Sequence, residues 1–407
     1  MSRTVTAAGL TTLVDDLLRS HPPAATDPHE FLGARFDAGL AWVWAGPGDG
    51  GLGADPALQP LIEQRLAAAG APAPFRYNPI GIGMTGPTLL THGTPEQRGA
   101  YLRPLFAGTE VWSQLFSEPG AGSDVAGLAT RARRDGDEWI VDGQKVWTSY
   151  AHIARRGLLI ARTDPDVPKH AGLTAFVVDL TAPGVEVRPL RQLTGEAEFN
   201  EVFFTAARIP DTQRLGPVGA GWRVATTTLM NERVSLGGGL SGGVDPGAAL
   251  LAAYQEAADR GDGNPVRRDQ AIRLWIEANV NALTAARAAA GGNRGRPGPE
   301  GSVLKLAGAE HSRRAAAYLV DLMGPAGTLI PDYRMTRPGL PLGGGAPGTP
   351  RRPSCDHAPT RSKAGRRRSC ATYSANGCSA CPATSASTRM CPGVTYRADR
   401  PSPRGAP

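Results

Sequence analysis

Two segments of this 407-residue chain bring together groups suited to holding a flat ligand with polar edges. The first, Trp112-Ser-Gln-Leu-Phe-Ser-Glu-Pro-Gly-Ala-Gly-Ser-Asp124, runs from an extended stretch into a glycine-rich turn. Glycines let a backbone approach a ligand closely, and the free N–H groups of such a turn bind oxygens or ring edges. The second, Gln144-Lys-Val-Trp-Thr-Ser149, follows about 20 residues after Asp124 and sets an indole beside two hydroxyls on a strand. An aromatic followed by hydroxyls suits stacking on a ring and hydrogen bonding to its heteroatoms. Taken alone, the first segment reads equally well as a structural loop, and the second as a strand with a core tryptophan.

A third feature is a carboxylate in an apolar setting. Trp222, Ala225, Leu229, Glu232 and Leu236 recur at i, i+3, i+7, i+10 and i+14, one face of a helix. A carboxylate on such a stripe is costly unless it is paired or functional. Glu232 is therefore either half of a salt bridge at a domain edge or a proton acceptor.

The elements that must position these groups follow from periodicity. Residues 1–108 read as helical. Leu10, Leu13, Leu17 and Leu18 form one stripe, and Leu58, Leu61, Ile62 and Leu66 a second that ends near Gly70. A further helix starts after Thr94, with Pro95 at its first position. Residues 109–215 read as short strands, with Asp142-Gly143 as a hairpin turn between Glu138–Asp142 and Gln144–Thr148. Residues 216–345 return to helices, through Trp222–Leu236, Pro246–Ala258, Arg267–Ala290 and Gly301–Leu322. Helices, a strand block and more helices argue for an α+β protein, a small β-barrel domain clasped between helical domains.

The two ligand-suited segments together, in wording and spacing, resemble the acyl-CoA dehydrogenase family, with its "(S/T)EPGAGSD" turn and "(D/N)GxKxW(I/T)(T/S)" strand. The resemblance runs from about residue 30 to 345. It implies non-covalently bound FAD, oxidation of an acyl-CoA thioester to 2-enoyl-CoA, electron transfer to electron-transferring flavoprotein, and a homo-dimer or homo-tetramer. By position, Gln114, Phe116, Ser117, Gly122 and Ser123 would line the flavin, with Ser123 also near the CoA arm. Trp147 and Ser149 would meet the isoalloxazine. Arg260 matches an arginine that reaches the FAD of a neighbouring subunit, although Gly263 replaces the aromatic that usually follows. Gly324 matches a glycine turn near the adenosine. Glu232-Arg233 matches the helix-borne base of isovaleryl- and long-chain-type members, Glu232 taking the proton and Arg233 holding the CoA end. A flavin oxidase or monooxygenase on the same scaffold, and a non-catalytic DNA-binding relative, are the competing readings.

Charge and cysteine divide the chain sharply. From Ala346 onward there are 11 Lys and Arg against Asp356 and Asp399, whereas the residues before it carry 33 basic and 35 acidic side chains. The body is near neutral, so nucleic acid is not an expected partner. All five cysteines also lie in residues 346–407. Cys378-Ser-Ala-Cys381 has zinc-like spacing but lacks a second pair, and no metal site is expected. No apolar run spans a membrane and no secretory signal opens the chain, so a cytoplasmic protein is expected.

This final segment departs from the family, whose members continue with a loop resembling "RANTIEGGTSEI" and a helix like "LRNILGERVLG". Reading the last base of each codon with the first two of the next permits both between Pro353 and Arg397. A shifted reading frame therefore accounts for an ending that is aperiodic, basic and rich in proline. The altered ending is expected to impair flavin binding and activity.

Overall fold

A computed structural model describes residues 6–192, 195–237, 246–290, 300–329 and 334–340. The calls on residues 346–407, and on the side chain of Leu236, lie outside the described residues. The first helices are α1 (Ala7–Ser20), α2 (Pro28–Asp37), α3 (Gln59–Ala68), α4 (Pro74–Tyr77), α5 (Gly86–His92) and α6 (Pro95–Ala107). A π-helical turn, Gly81–Thr85, runs directly into α5. Thr94 caps α6 as its sequence predicts. Its hydroxyl accepts from Gln97 N–H while the Gln97 side chain returns to Thr94 N–H, a capping box.

The buried face of α1 is Leu10, Val14 and Leu17, while Leu13 is 36% exposed. The stripe thus lies one position off the leucine pattern, because the i, i+4, i+7 row that meets α3 is the one containing valine. On α3, Ile62 and Leu66 are buried and Leu61 faces outward.

Eight strands follow: β1 (Trp112–Leu115), β2 (Arg131–Asp135), β3 (Glu138–Ser149), β4 (Arg156–Arg162), β5 (Leu173–Asp179), β6 (Val185–Leu190), β7 (Phe199–Pro210) and β8 (Arg214–Leu215). They form one mixed sheet in the order β6-β7-β3-β2-β4-β5-β8, with β1 parallel to β4. Both faces of β4 and β5 are covered. Leu158, Ile160, Ala175 and Val177 pack with the helices, and Leu159, Ala161, Phe176 and Val178 with the sheet's other face. Double burial is why these strands read as continuous apolar runs instead of alternating ones.

The hairpin turn is displaced from its predicted place. β3 runs unbroken through Asp142-Gly143, and the chain reverses at Gly136-Asp137, where Gly136 takes φ 62°. Asp142 and Gly143 instead face a bulge in β7. The Asp142 carboxylate accepts from the N–H of Ala206, itself at φ 48°. Gly143 is required because a Cβ there would lie 2.5 Å from the Thr130 hydroxyl.

The chain returns to helices in α7 (Gly221–Gly237), α8 (Pro246–Ala257), α9 (Pro265–Ala290) and α10 (Glu300–Leu322). The buried face of α7 is Val224, Ala225 and Thr228, with Trp222 and Leu229 only half-buried at its edge. The apolar stripe is thus rotated from the one containing Glu232, because Thr228 buries its hydroxyl against Thr88 (3.0 Å) on α5. No helix among the described residues is long and apolar enough to cross a membrane.

Asn78 ties the helices to the first strand. Its oxygen accepts from Gly81 and Trp112 N–H, and its amide donates to Leu105 and Glu110 carbonyls, all at 2.9–3.1 Å. With 1% exposure, every hydrogen-bonding position of this amide is used inside the protein. Asn78→Ala strands two buried donors and two acceptors, and we expect a loss of about 3 kcal/mol or more, read as a lower denaturation midpoint in urea. Asn78→Asp, which keeps the two acceptor bonds, should lose less; equal losses would mean that the acceptor half of this hub is silent.

Candidate functional site

Three contacts stitch the glycine-rich turn to the end of β3. Ser113 Oγ donates to the Ser149 carbonyl (2.8 Å), Val146 N–H donates to the Ser117 carbonyl (2.8 Å), and Lys145 Nζ donates to the Phe116 carbonyl (3.0 Å). The same ammonium lies 2.8 Å from a Glu118 carboxylate oxygen. Glu118 in turn accepts from Ala129 and Thr130 N–H, at 2.6 and 2.9 Å, closing the loop between them. Lys145 is fully buried and Glu118 nearly so. Burial pushes the Lys145 ammonium down to about 8, against the pull of Glu118. Burial alone would push Glu118 up, but the Lys145 charge and the three hydrogen bonds outweigh it and hold the carboxyl below its ordinary value.

A register shift decides what this frame displays. Along β3 the inward residues are Trp139, Val141 and Lys145, so Trp147 has the parity of the core. Between Lys145 and Thr148, however, β3 holds one residue more than the facing span of β7. Thr148 turns inward and is fully buried, while Trp147 turns out, 50% exposed and in the left-handed region at φ 60°. The indole stands edge-on to Phe199, 5.8 Å between ring centres. This is a β-bulge re-aiming one side chain.

The two tied segments also carry several unused polar groups. The side chains of Gln114, Ser117, Ser123 and Ser149 make no hydrogen bond among the described residues, and neither does the buried Thr148 hydroxyl. Gly122 and Ser123 are exposed, and a Cβ at Gly120 or Gly122 would meet nothing within 4 Å. Phe116 differs from its expected part. Its ring is in the core at 4% exposure and its carbonyl accepts from Lys145 Nζ, so neither is available to a ligand. Gln114 on β1, Phe116 and Ser117 just after it, and Trp147 and Ser149 on β3 are thus carried by segments tied to one another, with the Gly122-Ser123 turn following.

The remaining candidates stand on the helices. Glu232 is bonded to Lys305 of α10, Oε1 to Nζ 2.6 Å, with side-chain exposures of 16% and 19%. Arg233 Nη1 lies 3.2 Å from Met230 Sδ, and the Arg233 Cβ faces the start of α10 at Gly301. Arg260 is exposed in the π-helical turn Ala258–Asp262, and Gly324 opens the 3-10 turn after α10 at φ 57°. Sequence reasoning gave no part to Glu118, Lys145 or Lys305. The signal for Lys145 was present: it shares the inward parity of Trp139 and Val141, where a cation requires a buried counter-charge.

Glu118→Gln leaves the Lys145 ammonium buried without its carboxylate, and we expect about 3–5 kcal/mol of destabilisation in a denaturant titration. The pH dependence has a defined sign. Glu118 lies below its unfolded value of 4.5, so its stabilisation is complete above that pH and lost as pH falls through the folded value. Lys145 releases its proton near 8 when folded and near 10.5 when unfolded, so its contribution rises with pH between the two. Glu118→Gln should flatten the acid limb of the stability curve; an unchanged acid limb would place that lability elsewhere.

Comparison with known proteins gives a consistent picture. The acyl-CoA dehydrogenase middle domain matches residues 113–207, and the acyl-CoA dehydrogenase C-terminal domain matches residues 219–338. Acyl-CoA dehydrogenase FadE34 of Mycobacterium tuberculosis is 44% identical over 313 residues, 75% of this chain but only 42% of that protein. Acyl-CoA dehydrogenase IpdE1 of the same organism is 40% identical over 266 residues, 65% of this chain and 68% of that protein. The solved ChsE4–ChsE5 complex from Mycobacterium tuberculosis superposes with a TM-score of 0.61 at 26% identity, covering 93% of this chain and 96% of that one. With the turn, the strand and the helix–sheet–helix order in place, the chain belongs to the acyl-CoA dehydrogenase family.

Proposed function

We propose that this chain removes hydrogen from the α and β carbons of an acyl-CoA thioester to give 2-enoyl-CoA. FAD is the cofactor and electron-transferring flavoprotein the electron acceptor. The observation that carries this reading is the outward Trp147 on a strand tied to the glycine-rich turn, with the Gln114, Ser117, Ser123 and Ser149 side chains making no hydrogen bond among the described residues. An indole face, two serine hydroxyls, an amide and an open glycine turn match a large neutral ring with carbonyl and nitrogen edges, so the residues fit a flavin. Bound FAD supplies the acceptor for the hydride leaving the β carbon. The chain's own part is to stack and orient the ring through Trp147, bond its edge through Ser117 and Ser149, and take the α-proton.

Glu232 is the proposed base and Arg233 the proposed partner of the CoA end. The Lys305 bond makes the base role conditional, since it must be given up when the proton is taken. Arg260, exposed and without a partner among the described residues, is proposed to reach the FAD of a second subunit. The homo-oligomer reading is supported by α9, whose Ile272, Ile276, Val280 and Leu283 are 37–71% exposed along one helix face.

The reconstituted chain should show a flavin spectrum that bleaches on anaerobic addition of an acyl-CoA. No flavin uptake would sink the reading, and turnover that consumes oxygen without a carrier would replace it with an oxidase. In a flavin-loaded enzyme, Glu232→Gln should lower kcat about 10²–10⁴-fold with flavin retained, while Lys305→Met tests the alternative. Equal destabilisation by both changes with kcat intact would make the pair purely structural. Ile276→Asp should shift the mass in solution toward the monomer. A version with the reading frame restored near Pro353 should bind flavin more tightly than the chain as written; equal affinity would remove the proposed impairment.

A further inference from the structure

The peptide that carries Trp147 is held in an unfavourable shape. Trp147 and Tyr150 both occupy the left-handed region, at φ 60° and 57°, a conformation costing of order 1–3 kcal/mol at each non-glycine residue. Such backbone persists only where its surroundings fix it. Around these four residues the ties are specific. Val146 N–H is held by Ser117, the Ser149 carbonyl by Ser113, and Tyr150 N–H by the Glu198 carbonyl at 3.0 Å. Beside the β3–β7 pairing of Thr148 and Ser149, the Thr148 carbonyl accepts from Asn200 Nδ2 at 3.1 Å.

Asn200 is fully buried and is the hub of a network that reaches far along the chain. Its amide also lies 3.2 Å from His152 Nδ1 and from the Glu198 carbonyl, and its oxygen accepts from Arg337 Nη2 at 3.1 Å. His152 Nε2 lies 3.1 Å from the Pro338 carbonyl. The segment 334–340 is itself docked on the approach to β7, with Ala197 N–H donating to Thr336 O at 2.7 Å and Thr336 N–H to Gly195 O at 3.1 Å. The network fixes the protonation pattern. Arg337 takes the amide oxygen, so the amide nitrogen faces Nδ1 and shares its two hydrogens among Nδ1 and the Thr148 and Glu198 carbonyls; Nδ1, facing an NH₂ group, is the unprotonated nitrogen, and Nε2 carries the proton toward Pro338.

We propose that Asn200, set in place by His152 and Arg337, is a positioning residue that holds the Trp147–Ser149 peptide in its ligand-facing shape, and that the 334–340 segment is thereby coupled to the flavin face. The purpose assigned to this lock rests on the flavin reading above; the lock itself does not. A proton on His152 Nδ1 would set N–H against N–H and release the amide from its orientation. Arg337 is the charged group facing the ring, and the segments packed against it also carry Glu196, Glu198 and Arg334. Burial and the Arg337 charge hold His152 below its ordinary value of 6.5, against the hydrogen bonds from its two sides. The lock is therefore closed at neutral pH and opens as pH falls through the folded value.

The test uses the full chain labelled with 5-fluorotryptophan, with the Trp147 fluorine signal assigned by its loss in Trp147→Phe. The Trp147 signal should shift on acidification, and His152→Gln should abolish that response. Arg337→Ala, an exposed change that spares the core, should shift the signal at neutral pH and weaken flavin binding by roughly tenfold. Asn200→Asp should reverse the acid response, because a carboxylate accepts from a protonated Nδ1. A Trp147 signal unmoved by Arg337→Ala, by His152→Gln and by acid overturns the proposal, whether or not Asn200 variants fold. Signals that move as expected in a chain that takes up no flavin support the lock and sink the flavin reading alone.

Discussion

A lysine ammonium withdrawn entirely from water lies between β3 and the glycine-rich turn, and the geometry of the site depends on it. Removing such a charge from solvent is expensive, and a single opposed carboxylate offsets the penalty only if its own remaining positions are filled. Glu118 meets that condition by accepting from two backbone N–H groups across the loop. The pair therefore closes the turn and ties it to β3 in one step, with no ligand needed to do so. A turn already folded by its own side chains has less ordering entropy to lose when a ligand binds.

The two halves of the proposed chemistry are built differently. The ring-binding half rests on a sheet whose strands β4 and β5 are covered on both faces, with bulges at two points of the β3–β7 pairing. The proton-transfer half rests on α7, held to α5 by the Thr88–Thr228 hydroxyl contact and the His92–Thr227 contact at 2.8 Å, and to α10 by Glu232–Lys305.

How much of this was legible depended on range. The Thr94 cap was readable because the residues that set it lie within one turn of the helix start. The helix–strand–helix order was readable because it follows the change in period. Asp142-Gly143 misled because its partners are not local: whether that dipeptide turns or bulges is set by Ala206, 64 residues from Asp142, and by Thr130 on the neighbouring strand's approach. The α7 stripe was rotated for the same reason, since a buried threonine matched to another threonine does not register as apolar. The motif residues Trp147 and Ser149 were visible from their types and spacing. What exposes the indole was not, because strand parity alone assigns Trp147 to the core.

That parity gives the strand an unusual sensitivity to length. Ordinary strands tolerate a side-chain exchange better than a shift in pairing, because a shift of one residue exchanges their two faces. Here the exchange has already been made once, by the extra residue between Lys145 and Thr148. Loss of Trp147 from that interval would restore regular pairing and relieve the left-handed backbone, with Lys145 and Thr148 still inward and no indole on the outer face. The result would be a better strand and a lost site. Variation in this part of the chain is thus expected to proceed by replacement at fixed spacing, while insertions and deletions accumulate in the connections between strands.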